Sequence, residues 1–414
     1  MIISRLFALV LPSRVIFAAA ILALLGYGQK TSAQNIDQLV SKGGTVHLGT
    51  AYQLTHTLII PSNTRITCDA GVSLSDLPGL KLDSLLLIRG QGVSIEGCDI
   101  YSNSSHVIIV LGAQSSGVSL IHNHLHSFNH AHGILIDAPN IHGVKIDNNA
   151  IDDVQYGILQ NVHAADLTDV SIDGNTFSNI WADAIELNNP VTNDCCGIRL
   201  TDVRASGVAI RHNKFRVPKH AGSSAGAGFC VGVAGAHDID ILDNDCIAWN
   251  AGVHVEDRAY NIKILGNLIS TDDHEKNGEQ AAIWINDGQN ITLAQNKIKN
   301  TAGDGIFISY DATHQASNIE IAGNEITGCG RYGLFIAGGS LGPMNSRVHD
   351  NTVSGCAVPV FLAGKLKSLS FHSNRLGAKS GCVFQIAKDT NKVDIDMKSN
   401  TDPDSGGDAN ASCN

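Results

Sequence analysis

Apolar and polar residues alternate along most of the chain with a period of two, and one recurring phrase punctuates the alternation: apolar–x–apolar–x–x–Asn–x–apolar. It runs Val118, Leu120, Asn123, Leu125, then Val144, Ile146, Asn149, Ile151, then Val170, Ile172, Asn175, Phe177. It returns at Asn213, Asn244, Asn267, Asn296, Asn324, Asn351 and Asn374. Nine of the ten copies keep both leading apolar residues; the copy at Asn351 begins with Ser346. Successive asparagines are 26, 26, 38, 31, 23, 29, 28, 27 and 23 residues apart. Helical repeats would space their apolar residues at 3.6, so they are excluded. Each unit reads as a short strand, a bend at Asn and another short strand. Such a unit cannot bury its own apolar face, whereas stacked coils bury one continuous core. Asn suits a bend because it tolerates left-handed backbone. In a stack its amide also bonds to the Asn above and below. The ten asparagines are therefore read as structural.

A further strand follows each bend. It reads Gly133-Ile-Leu-Ile-Asp137, Gly157-Ile-Leu-Gln-Asn161, Ala184-Ile-Glu-Leu-Asn188, Gly252-Val-His-Val-Glu256, Ala282-Ile-Trp-Ile-Asn286, Gly305-Ile-Phe-Ile-Ser309 and Gly333-Leu-Phe-Ile-Ala337. Its branched positions point inward and the residues between and after them point outward. The pattern predicts an all-β, single-domain right-handed parallel β-helix over residues 34–400. A short amphipathic helix at 35–40 would cap its first end, with first strands at 43–48 and 57–61. Capping hides the pairing edges of the terminal coil. The polar stretch 401–414 is expected to be a flexible tail.

Residues 1–33 read as a secretory signal peptide. Arg5 and Arg14 precede or flank an apolar stretch at 15–25, too short to span a bilayer, and Thr31-Ser32-Ala33 resembles a cleavage site. The chain carries 28 basic and 39 acidic residues, a formal charge of −11. Cleavage would remove Arg5, Arg14 and Lys30 and no acid, leaving about −14. That balance disfavours nucleic acid as a partner. Export permits disulfides among the ten cysteines. Cys329 and Cys356 each stand five residues after a repeat asparagine, so adjacent coils would bring them to bonding distance. Cys68 is expected to pair with Cys98 and Cys382 with Cys413, while Cys195, Cys196, Cys230 and Cys246 would staple the longest insertions. No paired C-x-x-C suggests zinc.

With its repeat, and with Gly43-Gly44-Thr45-Val46 and Leu58-Ile59-Ile60-Pro61-Ser62-Asn63 as entry coils, the chain resembles the pectin-lyase-like superfamily of secreted polysaccharide-active β-helix proteins. The resemblance covers nearly all of the mature chain. It implies a polysaccharide substrate, a secreted or periplasmic location, no membrane association after cleavage, and a monomer or homotrimer. Family signatures are incomplete. Gly-His-Gly and Asp-Pro-His-Asp are absent, and Arg-x-Pro-x-x-Arg is half present as Arg216-Val217-Pro218, with Ala221 in the last place.

Solenoids carry function where loops grow from one face. The 38- and 31-residue steps mark the coils between Asn175 and Asn244. Outward carboxylates gather nearby: Asp183 and Glu186, then Glu256 and Asp257 two coils on, beside His254 and Arg258. Repeat register puts Glu186 and His254 in one column, and Asn188, Glu256 and Asn286 in the next. Two coils span roughly 9.6 Å from the strand spacing, near the upper limit for an inverting pair of carboxyls. Asp183, Glu186, His254, Glu256, Asp257 and Arg258 are thus the candidate catalytic residues. Trp181 and Trp284, with Tyr310, would offer faces for sugar rings, whereas Trp249 reads as core. Arg216 and Lys219 belong to a basic run at 211–220 that would meet uronate carboxylates, or the protein's own acids. His122, His124, His126, His130 and His132 read as outward surface histidines, not as a metal site. The Gly-rich run 222–228 reads as a flexible turn. The expected activity is hydrolysis of glycosidic bonds by a carboxylate acid and base, with no cofactor required. The alternatives are a lyase on a uronate polymer, with Ca2+ in the carboxylate cluster, a sugar epimerase, or a non-catalytic glycan-binding adhesin.

Overall fold

The chain winds into a right-handed parallel β-helix, as the repeat predicts. The computed structural model describes residues 35–160, 166–187, 205–221, 227–271, 281–310, 314–342, 344–378, 382–403, 409 and 412–413. Ile36–Asn414 is one compact unit. The signal sequence expected at 1–33 lies outside the described residues, as do Asn188, Cys195 and Cys196.

Each coil contributes a strand to each of three faces, and every strand pairing between coils is parallel. The coil containing Asn175 shows the plan. Thr168–Asp173 lies on the first face, Thr176–Ser178 on the second and Ile185–Leu187 on the third. The second face holds 13 strands. Near the end, the 15-residue strand Val358–His372 runs from the third face through a corner into the first. Alternation does the sorting: in Tyr260–Leu265 only Ile262 and Ile264 are buried, and such residues fill one continuous core. The helix Ile36–Val40 closes the first end with Ile36 and Val40 buried.

The asparagines form the expected ladder. Each repeat Asn is buried, and its Nδ2 donates to Oδ1 of the Asn in the next coil at 2.9–3.2 Å. That Oδ1 also accepts the backbone N–H of the preceding Asn, as from Asn244 to Asn267 at 3.0 Å. The ladder gains an eleventh rung at Asn400, bonded by Asn374 at 2.9 Å. The left-handed residue is not the asparagine itself but the one before it: His122, Asn148, Gly174, His212, Asp243, Gly266, Gln295, Gly323, Asp350, Ser373 and Ser399 all have φ between 51° and 68°. The division is physical. One residue turns the chain, and the next uses its amide to satisfy backbone groups that the bend leaves buried.

Cys68–Cys98, Cys230–Cys246 and Cys329–Cys356 are disulfides, and Cys382 is disulfide-bonded as well. The loose tail expected at 401–414 is tied down where it is described. Ser412–Cys413 pairs with Phe384 and Gln385, and Ala409 is buried. Among the described residues no helix is long and apolar enough to cross a membrane.

Candidate active site on the third face

Four third-face strands build the site: Ile185–Leu187, Phe229–Ala234, Ala251–Glu256 and Ala281–Asn286. Period two sends Ile185, Leu187, Val231, Val233, Val253 and Val255 into the core. It turns the intervening residues outward, so that Glu186, Gly232, His254 and Trp284 stack in one column. Towards the first end this column continues as Leu159, Leu135, Val110, Leu87 and Ile59. Towards the other end it continues as Phe307, Phe335 and Phe361. An apolar column is thus interrupted once by a carboxylate, a glycine and an imidazole.

Gly232 is what lets the interruption close up. A β-carbon there would overlap Oε2 of Glu186, with Cδ at 2.8 Å and Oε1 at 3.2 Å. The glutamate carboxyl therefore lies across the glycine, towards His254. His254 is buried and held between the rings of Phe229 and Trp284, at 4.7 and 4.6 Å. Its Nε2 makes no hydrogen bond and stands 3.7 Å from Oε2 of Glu256. Burial pushes its pKa down to about 4, so the ring is neutral at pH 7. Glu256 is half-buried and lies one column over, beside Asn286.

Asp183 sits in the turn that leads into Ile185–Leu187 and is buried. Its Oδ1 accepts backbone N–H groups from Gly228 and Phe229, both at 2.8 Å. Burial outweighs those bonds and lifts its pKa to about 7. Tyr156, in the preceding coil, feels both Asp183 and Glu186. Burial first, then these two charges, push its hydroxyl up to about 12. Tyr156 is a site residue that the sequence reading missed.

The other candidates divide. Trp284 is half-buried and donates from Nε1 to Ser309 at 3.0 Å, and Ser309 donates to Asn286 at 2.9 Å. Phe307, Phe335 and Phe361 extend its ring column at centroid spacings of 5.7, 4.4 and 5.1 Å. Tyr310 is exposed. Asp257 and Arg258 form a left-handed turn after the Glu256 strand, where Arg258 Nε donates to His314 at 3.1 Å. Trp181 does not present a free ring. His130 and His220 pack on it at 3.7 and 3.8 Å, and its Nε1 donates to Asp153. Arg216 is on the second face, paired with Asp245 at 2.8 Å, and Lys219 stands over the buried Trp249. Within the same basic run Arg211 pairs with Asp240 and His212 with Asp173.

A groove of about 700 Å3 lies elsewhere, on the first face, lined by Lys145, Ser171, Arg211, Asp238, Asp240 and Lys263 among others. Among its charges Asp240 is paired with both Arg211 and Lys263. The third face is the better candidate for chemistry, because buried groups with displaced pKa values gather there.

The family model for the right-handed β-helix region matches residues 82–269 and 196–376. No curated protein sequence matches the chain. Among solved structures it is similar to the catalytic unit of a thermostable GH87 α-1,3-glucanase from Streptomyces thermodiastaticus. That match has 13% identity over 93% of this chain and 68% of the other, with a TM-score of 0.50. It is similar to a mutant of the periplasmic alginate epimerase AlgG, with 12% identity, 84% and 78% coverage and a TM-score of 0.51. A GH87 α-1,3-glucanase catalytic domain in complex with tetrasaccharides matches at 12% identity, 88% and 67% coverage and a TM-score of 0.50. At such identities the likeness is one of fold.

Proposed function

The chain belongs to the right-handed β-helix family, and from its third face we propose that it is a secreted carbohydrate-active enzyme hydrolysing glycosidic bonds in a polysaccharide. The observation that carries this reading is the carboxyl of Glu186 laid across Gly232, with Glu256 two coils along the same face. Two coils of rise and a two-residue offset along the strand put the two backbones roughly 12 Å apart, and the reach of Glu186 across Gly232 shortens the gap between the carboxyls towards the span that admits a water between acid and base. The acid comes from the Asp183–Glu186 side, where Asp183 keeps its proton up to about pH 7. It protonates the departing oxygen while Glu256 takes a proton from the attacking water. Trp284 and the phenylalanines beyond it line up apolar rings suited to the C–H faces of successive sugars. The disulfides fit an oxidising compartment.

A second reading, elimination or epimerisation on a uronate polymer, draws on His254, which is neutral and so base-competent at pH 7. Hydrolysis is preferred because Arg216, a cation that could meet a uronate carboxylate, is paired with Asp245 on the second face. The test is a panel of neutral and acidic polysaccharides, scored together for reducing ends and for absorbance of unsaturated products. Hydrolysis gives reducing ends alone, abolished in Glu186→Gln and Glu256→Gln. New absorbance would establish elimination instead, and turnover unchanged in both variants would remove the cluster from the chemistry.

A further inference from the structure

Away from the third face, we propose that Asp99, His124 and His126 form a binding site for a divalent transition metal of the zinc type. His124 and His126 are two apart on the second-face strand His124–Ser127, so both point outward. Asp99 opens the adjacent strand Asp99–Ser102 and is paired directly with His124. One oxygen, Asp99 Oδ1, lies 3.1 Å from Nδ1 of His124 and 3.2 Å from Nε2 of His126. All three donor atoms fall within 4.8 Å of one another. Donors at a Zn–N or Zn–O distance of about 2.1 Å stand roughly 3.4 Å apart around a tetrahedron, so small side-chain rotations close the set.

Two observations separate this cluster from an ordinary surface ion pair. Asp99 Oδ1 is sealed from solvent and accepts no aligned hydrogen bond, although two ring nitrogens lie beside it. The second is preorganisation: the His126 ring is stacked on Tyr101 at 4.9 Å and on His124 at 4.5 Å, with Phe128 edge-on at 5.4 Å. Stacking thus confines the ring before any ion arrives. Two imidazoles and one carboxylate suit zinc, copper or nickel rather than the all-oxygen preference of calcium or magnesium. An ion there would clamp adjacent coils together.

The chain has 18 histidines, so binding must be assigned to these three. Full-length mature protein is stripped with EDTA and titrated with Zn2+ against a chromophoric chelator. The expected result is one tight equivalent, accompanied by a rise in Tm and, with Co2+, by visible ligand-field bands. Asp99→Asn and His126→Ala should each weaken that equivalent by at least about tenfold and remove the bands, while His349→Gln, on the first face, leaves them. Asp99→Asn is the more conservative change and keeps the test decisive if His126→Ala folds poorly. Absence of a tight equivalent in the parent protein, or its retention in both variants, would overturn the proposal. Neither outcome depends on whether the third face cleaves glycans.

Discussion

Replacing Gly232 by alanine moves the Glu186 carboxyl without deleting it. The three atoms nearest a β-carbon at 232 are the two oxygens and Cδ of Glu186. These are the far end of a flexible side chain, so the carboxyl swings aside and the backbone stays. Gly232 lies inside Phe229–Ala234 with no left-handed φ, and Gly→Ala at such a place alters stability by about 1 kcal/mol or less. Activity should respond far more. A positioned acid or base contributes about 10²–10⁴-fold, or roughly 3–5 kcal/mol of activation free energy. We expect kcat/KM on the preferred polysaccharide, read as reducing ends, to fall at least about 100-fold in Gly232→Ala. The urea midpoint should barely move. Glu186→Gln should show a similar loss, and the double variant little more than either single one, because both act through one carboxylate. Wild-type turnover in Gly232→Ala, or losses that multiply in the double variant, would refute the geometry on which the proposed mechanism rests.

Asn267→Ala strips Asn244 of the oxygen that takes its N–H and Nδ2, and leaves the Ile241 carbonyl and Asn296 Oδ1 short of a donor. At about 1–3 kcal/mol for each buried group left unsatisfied, the loss in a urea titration should exceed about 3 kcal/mol, and less than about 1 kcal/mol would deny the ladder its role. Arg331→Ala strands Asp304, whose side chain is fully buried and whose pKa burial lifts to about 6 even beside the guanidinium. The cost should be about 3–5 kcal/mol at pH 8 and visibly less at pH 5, where the carboxyl is protonated; equal costs would contradict this. Asp183 is raised in the fold, so its contribution is present below its unfolded pKa near 3.8 and lost as pH rises to about 7. Stability of Asp183→Asn relative to wild type should climb over that window by up to about 4 kcal/mol. A pH-independent difference would show that Asp183 ionises normally. Comparing variants cancels the opposite trend from His254, whose lowered pKa makes stability fall as pH drops from 6.5 to about 4.

The ladder was legible because a buried amide that must meet its own copy in the next coil leaves the same letter at the same phase every time. The left-handed residue before it was not. Among the eleven only Gly174, Gly266 and Gly323 are glycines, and His, Asn, Asp, Gln and Ser fill the rest, since an exposed bend tolerates many short polar side chains. Asn400 escaped because Ile395 and Met397 lead into it but Asp402 stands where the phrase wants an apolar residue. Glu186 and His254 were placed in one column by register alone, and the strand pairings put them there. Gly232 carried no signal of its own, since a glycine contributes only the space it leaves. That space acquires meaning once the coils flanking the long insertions are aligned. Tyr156 lies in a turn outside the strand pattern. Asp99 belongs to a coil before the first complete repeat phrase, 25 residues from His124, so the histidines read as solvated.

Core and outward columns answer to different constraints, and this explains why the site sits where it does. The inward positions of the third face are aliphatic apart from Gln160 and Phe384, and with the ladder they fix each coil to its neighbours. Register is therefore secured without help from the outward column. That column can change from Leu159 to Glu186, skip a side chain at Gly232 and resume with His254 and Trp284 at no cost to the stack. The same independence lets the chain insert residues between Asn175 and Asn213, a step of 38, while their amides still meet at 3.0 Å. Insertions of that size leave the spacing of adjacent strands unchanged, so loops can be lengthened around Glu186 without moving it relative to His254. A β-helix is thus suited to holding an acid and a base at multiples of one coil spacing, with a glycine in between to bring them nearer than the lattice of strands would allow.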